Sequence, residues 1–289
     1  MKLLEVKGLY KDYHTFQLKD VSFSLPKGFV MGYIGENGAG KTTTLNLITH
    51  LCRADAGSVT IDGISYEEDS RKYLESIGFI GDESYFPPEF KLRDVRNILK
   101  LMYPSFKGDV FDRMIGEWKL PAKTKIQNYS RGMKVKLMFA SVLSRDTKLL
   151  ILDEATNGLD PVMRAEIIEM LQDYIMDGER SILFSTHVLS DLEQIADYII
   201  FIHKGEILLD QTKEELMESY VMVRGDVNDL VPEKKEKIIG MTQGAYGFEG
   251  ILKSRDAEGF GTQFVIEKAS IDQIMLHYIK NGGKRNERN

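Results

Sequence analysis

From Leu18 to Leu25 apolar residues (Leu18, Val21, Phe23, Leu25) are interleaved with polar ones, the pattern of an antiparallel strand with one wet face. Pro26-Lys27-Gly28 then turns the chain. Phe29 to Ile34 is an apolar run of strand length, followed at once by a glycine-rich stretch and a helix-like pattern from Lys41 to Leu51, so this segment reads strand, loop, helix. A second buried strand is expected from Lys148 to Asp153, then a helix from Pro161 to Met176 and a third apolar strand from Ser181 to Ser185. Strands alternating with helices imply a parallel sheet.

Between Glu83 and Arg145 no strand pattern stands out. Amphipathic stretches dominate instead, at Leu92 to Met102, Val110 to Lys119 and Gly132 to Leu143, which reads as a helical insertion within the α/β core. After Thr212 the texture changes again. Lys and Glu crowd from Glu233 to Lys237, two strand-like pieces follow, and a last helix is expected from Ala269 to Lys280. The tail from Asn281 to Asn289 holds nothing to bury and is expected to be disordered.

Composition narrows the function classes. A chain of 289 residues with 43% hydrophobic and 28% charged residues has the make-up of an ordinary soluble protein, and a net charge of −6 argues against a general nucleic-acid binder. Its apolar runs fall far short of the ~20 residues a membrane-spanning helix needs. Cys52 is the single cysteine, and no basic-then-apolar leader precedes Leu3. Both facts lead to the expectation of a reducing cytoplasmic location.

The chemistry begins at Gly35-Glu36-Asn37-Gly38-Ala39-Gly40-Lys41-Thr42, which fits G-x-x-x-x-G-K-[ST]. Small residues there let successive backbone amides converge on phosphate oxygens, and the helix beginning near Lys41, with Thr43 in its first turn, adds the positive end of its dipole. Lys41 is placed for the β- and γ-phosphates of a nucleoside triphosphate, and the Thr42 hydroxyl for a Mg2+ ion. Leu149 to Glu154 is an apolar strand ending in two carboxylates, delivered to the edge of a parallel sheet where ligands bind. Asp153 is expected to hold Mg2+ through water, and Glu154 to polarise the attacking water.

Tyr129-Ser130-Arg131-Gly132-Met133-Lys134, just upstream of that strand, resembles the signature of ABC-type ATPases. The resemblance runs from about Leu3 to Asp210 and adds Gly158-Leu159-Asp160 as a dimer-contacting loop, His187 as the switch histidine beside Glu154, and Tyr13, with Phe16 as a nearby competitor, as the adenine-stacking aromatic. It implies a P-loop α/β fold with an antiparallel β subdomain, an ATPase domain over 1–211 (core 1–82 and 146–211, helical subdomain 83–145), and a small α+β appendage with its tail over 212–289.

Two departures from the family pattern stand out. Where the family has a glutamine after the Ile77 to Ile80 strand, this chain has Asp82, with Glu83 as an alternative, and Asp82 is expected to join Thr42 and Asp153 around the metal. In the signature, Arg131 replaces a glycine and Met133 a glutamine, and Arg131 is expected to bring positive charge to the partner's nucleotide. Ser130 has its own physical sense as the N-cap of a helix whose end can face an anion.

The resemblance implies two ATPase subunits, alike or different, packed head to tail with ATP between the loop of one and the signature of the other. It also implies integral membrane subunits as further partners, no nucleic acid, and a peripheral position on the inner face of the membrane. Asp82-Glu83 and the arginine-containing signature resemble the bacterial drug and peptide exporter group, including bacitracin-resistance and phenol-soluble-modulin exporter ATPases, and the resemblance implies export of a peptide, toxin or drug, powered by ATP hydrolysis. Soluble family members acting in translation or DNA repair are the alternative. They carry two such domains per chain or a long coiled coil before the signature, whereas here Ser130 follows Lys41 by 89 positions without sustained heptads. A nucleotide-binding regulatory subunit with little turnover is a third reading, opposed by the presence of both Glu154 and His187.

Overall fold

The computed structural model describes residues 1–244 and 247–280, so the tail expected to be disordered lies outside the described residues. Two long strands, β1 (Lys2–Asp12) and β2 (Gln17–Pro26), open the chain and pair antiparallel. Val21, Phe23 and Leu25 turn inward as the alternation requires. The short strand β3 (Val30–Ile34) then feeds the phosphate-loop sequence and α1 (Lys41–Ile48). This helix stops short of the expected Leu51, because His50 takes a left-handed conformation with φ of 57°. The strands β4 (Ala56–Ile61) and β5 (Ile64–Ser65) complete the first sheet, in the order β2-β1-β4-β5.

Beyond α2 (Ser70–Glu75) and β6 (Ile77–Ile80) comes the helical insertion, with α3 (Leu92–Met102), α4 (Gly108–Glu117) and α5 (Arg131–Leu143). The chain re-enters the core through β7 (Leu149–Asp153), α6 (Pro161–Ile175), β8 (Ser181–Ser185), α7 (Leu189–Ile195), β9 (Tyr198–His203) and β10 (Glu206–Thr212). The central sheet runs β10-β9-β3-β8-β7-β6, parallel apart from the antiparallel edge strand β10. Every residue of β3 and β8 is buried, as is Leu149 to Leu152. At roughly 1.5–3 kcal/mol for each large apolar side chain withdrawn from water, these strands dominate the fold's stability and fix where their carboxyl ends point.

The last segment folds as α8 (Lys213–Ser219), β11 (Tyr220–Gly225), α9 (Pro232–Lys237), β12 (Ile239–Gly244), β13 (Gly247–Lys253), β14 (Val265–Lys268) and α10 (Ile271–Lys280). Its antiparallel sheet has the order β12-β13-β11-β14. One finding departs from the picture of a detached appendage. Leu216, Tyr220, Met222, Ile251, Ile274 and Tyr278 join the same buried apolar cluster as the helical insertion and one face of the central sheet. The Tyr220 and Tyr278 hydroxyls meet there at 2.5 Å. Among the described residues no helix is long and apolar enough to cross a membrane.

Candidate nucleotide site

The site grows from the ends of β3, β7 and β8. Leaving β3, the chain passes so close to β9 that a Cβ on Gly35 would lie 2.3 Å from the Ile202 carbonyl oxygen. Gly40 caps α1 with φ of 114°, a conformation that L side chains rarely adopt, and a Cβ there would meet the Phe16 ring at 2.9 Å. The Lys41 ammonium, with its residue 7% exposed, curls back to donate to the carbonyls of Gly35 (2.7 Å) and Glu36 (3.2 Å). Burial holds its pKa below the ordinary lysine value, while the negative charges of Glu154 and Asp153 pull it back up.

Opposite the loop, the Thr42 hydroxyl donates to Asp153 Oδ2 at 3.1 Å, bringing together two side chains 111 positions apart. Asp153 Oδ1 is buried and has no hydrogen-bond partner. An orphaned carboxylate oxygen beside a hydroxyl is a donor set that suits a hard divalent cation. Glu154 follows in a left-handed conformation, φ 56°, which is strained for a non-glycine residue. Its amide donates to the Ser185 carbonyl at the end of β8 (2.9 Å). Its side chain is clasped by His187: Oε2 accepts from the His187 amide at 3.1 Å, and Oε1 lies 3.0 Å from the imidazole Nε2, close but not aligned as a hydrogen bond. A carboxylate held beside an imidazole, adjacent in sequence to the aspartate that bonds Thr42 of the loop, is arranged to order water against a bound phosphate.

The signature segment stands elsewhere. Ser130 Oγ accepts from the Met133 amide at 3.2 Å and so caps α5, worth about 1 kcal/mol to the helix. Tyr129 is buried and donates to the Pro121 carbonyl (2.9 Å). Gly132 leaves room for Met163 of α6, whose methyl would lie 3.0 Å from a Cβ. Asp160 caps α6 by accepting from the amides of Val162 and Met163, both at 3.0 Å. Leu159 is buried, and its carbonyl accepts from Arg164 at 3.3 Å. Among the described residues no hydrogen bond or ion pair joins the 35–42 loop to residues 130–133.

Two of the expected site positions carry contacts of their own. The Arg131 guanidinium takes the Asp82 carboxylate in an ion pair, because Arg131 stands at the first turn of α5 and reaches across to the loop after β6. The same contact turns Arg131 inward on its own chain. As for the aromatics, Tyr13 is 43% exposed, its hydroxyl 3.6 Å from Cys52 Sγ and its ring beneath Lys11, whereas Phe16 packs on Gly40 of the phosphate loop. The structure thus brings Phe16 to the loop.

The sequence reading also missed a brace. The turn between β9 and β10 donates the Gly205 amide to the Ala39 carbonyl (2.9 Å), and buried His203 sets Nδ1 2.9 Å from Glu36 Oε2. No local signal marks it, since its partners are more than 160 positions from the loop.

Comparison with known proteins bears on the whole of this arrangement. Residues 18–157 match the family model described as ABC transporter. The chain is 29% identical over 237 residues to the ABC transporter ATP-binding protein YtrB of Bacillus subtilis, covering 80% of this chain and 81% of that one. It is 33% identical over 229 residues to the lantibiotic transport ATP-binding protein SrtF of Streptococcus pyogenes (76% and 98%) and 32% identical over 218 residues to the bacitracin transport ATP-binding protein BcrA of Enterococcus faecalis (74% and 70%). In three dimensions it superposes on the ATP-binding subunit of an ABC transporter with a TM-score of 0.68 at 27% identity, over 74% of this chain and 91% of the other. A dimeric ATP-binding cassette holding ADP and Pi, 21% identical, shares the fold at a TM-score of 0.64, over 72% of this chain and 98% of its own. Identity of 33% over 98% of the lantibiotic transport protein, with the fold of an ABC transporter ATP-binding subunit, leaves one conclusion: the chain belongs to the ABC transporter family, as an ATP-binding, ATP-hydrolysing subunit.

Proposed function

We propose that this subunit powers export of a peptide, toxin or drug through separate membrane-spanning subunits, working at the cytoplasmic face of the membrane as half of an ATPase dimer. The similarity to proteins named for lantibiotic and bacitracin transport supports the cargo class. The observation that carries the dimeric mechanism is the lack of any bond, among the described residues, between the 35–42 loop and Ser130 to Met133. A chain whose two halves of a site do not meet needs a second copy or a relative to close it.

In this reading the amides from Gly35 to Thr43 and the Lys41 ammonium hold the triphosphate. Thr42 and Asp153 would hold Mg2+, which when bound neutralises charge on the phosphate oxygens. Glu154 accepts a proton from the attacking water, and His187 keeps that carboxylate in place and faces the γ-phosphate. Ser130 and Gly132 present the α5 N-terminus to the partner's nucleotide, with Gly158 to Asp160 alongside. For the base, Phe16 is better placed than Tyr13 to offer its face. The proposed division of the chain, 1–211 as ATPase unit and 212–289 as appendage, rests on the separate four-stranded antiparallel sheet of the latter, although the two share a core.

The test is reconstitution with the membrane subunits encoded beside it. ATPase activity rising on addition of an amphipathic peptide or peptide antibiotic is the expected result. Activation by ribosomes or DNA instead would overturn the transport reading.

A further inference from the structure

Arg131 is the meeting point of three segments far apart in sequence. It opens α5 and pairs with Asp82, two positions past β6. Its Nε also lies 3.3 Å from where a Cβ on Gly158 would stand, so its side chain covers that glycine. Gly158 has φ of 66°, and an open backbone there makes room for the guanidinium. Asp82 thus sets a carboxylate beside the N-terminal end of a 13-residue helix, the end whose dipole draws anions. Asp82 and Arg131 keep 48% and 38% of their side-chain surface in water, so solvent screens the pair and little holds it shut. Together with Glu83 and Lys134 they rim a cleft of about 400 Å3.

We propose that Asp82 is an internal stand-in for the partner's nucleotide: it latches Arg131 over Gly158, and the pair must open before the α5 end can take the triphosphate of a second subunit. The latch rests on the composite-site reading above. A triphosphate carries several negative charges and can bind a guanidinium in bidentate fashion, so it outcompetes a single exposed carboxylate. ATP arriving in a partner then frees the loop after β6, and nucleotide occupancy is passed to the cleft that this loop borders. Arg131 is the binding residue here, and Asp82 is a positioning residue that acts through it.

The experiment measures ATP-dependent dimerisation of the full chain by sedimentation velocity, in a Glu154→Gln background that slows hydrolysis. Asp82→Asn, which keeps shape and removes charge, is expected to lower the protein concentration at half-dimerisation about tenfold. Arg131→Gln raises it by a similar factor, and the double variant behaves as Arg131→Gln alone, because Asp82 acts only through Arg131. A purely structural pair would give two losses rather than opposite shifts. The latch is overturned if Asp82→Asn has no effect or the same effect with and without Arg131, or if Asp82→Ala, a second removal of the charge, fails to shift dimerisation in the same direction. If the Glu154→Gln chain forms no dimer with ATP, the composite site falls and the latch with it.

Discussion

The phosphate loop and the signature segment are both helix N-termini, yet the chain treats them differently. Around the first, Lys41 is withdrawn from water, Thr42 is bonded to Asp153, Glu154 is clasped by His187, and Gly205 and His203 brace the loop from behind. Around the second, Ser130 satisfies only its own helix, and Arg131 is held by an exposed carboxylate. One end is preorganised by the chain itself. The other is capped but left open toward solvent, with a contact cheap enough to exchange. Preorganisation suits the half that must hold charge during phosphoryl transfer, and a replaceable contact suits the half that has to let go of a partner each cycle.

That contrast can be broken in order of expected effect. Glu154→Gln should lower ATP turnover about 1,000-fold, in the range of a lost general base, while phosphate-release assays run beside equilibrium binding find ATP affinity retained. Turnover near wild type would take Glu154 out of the role of base. Lys41→Ala removes a cation that is already desolvated, so ATP affinity of the isolated chain should fall about 10- to 100-fold, the loss of one or two charge-assisted hydrogen bonds. Titration calorimetry checks it.

Ser130→Ala should leave ATP affinity of the isolated chain unchanged and cost about 1 kcal/mol of stability from the lost cap. Turnover should drop about tenfold, as one hydrogen bond to a charged group would require. If ATP affinity fell as far as in Lys41→Ala, the two ends would belong to one site within the chain and the contrast would collapse. The smallest effect is expected of Gly158→Ala. Its positive φ and the overlying Arg131 should cost about 1 kcal/mol in denaturant unfolding and disturb dimerisation, with nucleotide binding by the single chain untouched.

The parts of the site legible in the sequence are those in which the chemistry is contiguous. Gly35 to Thr42 announces itself because consecutive amides and one helix start form the cradle. Leu149 to Glu154 does so because a fully apolar strand must be interior and its trailing acids must emerge at the sheet edge. Ser130 was readable as a cap because its partner, the Met133 amide, is three positions away. Helix ends were less legible: α1 stops at Ile48 because His50 turns left-handed, and nothing apolar or polar in the pattern forbids another turn.

The contacts of Asp82, Phe16 and His203 are not legible in the sequence, for a single reason. Their partners, Arg131, Gly40 and Glu36, are set by how strands and loops stack and not by spacing along the chain. The amino-acid sequence by itself determined a phosphate cradle, an acid pair and a capped signature helix, since each depends on backbone geometry within a few residues. Only the tertiary structure decided that the C-terminal sheet shares the core of the helical insertion, that Phe16 stands at the loop, and that Asp82 faces Arg131. Those outcomes depend on packing between segments tens to hundreds of positions apart, where side-chain reach and competition for the same charge settle which pairs form.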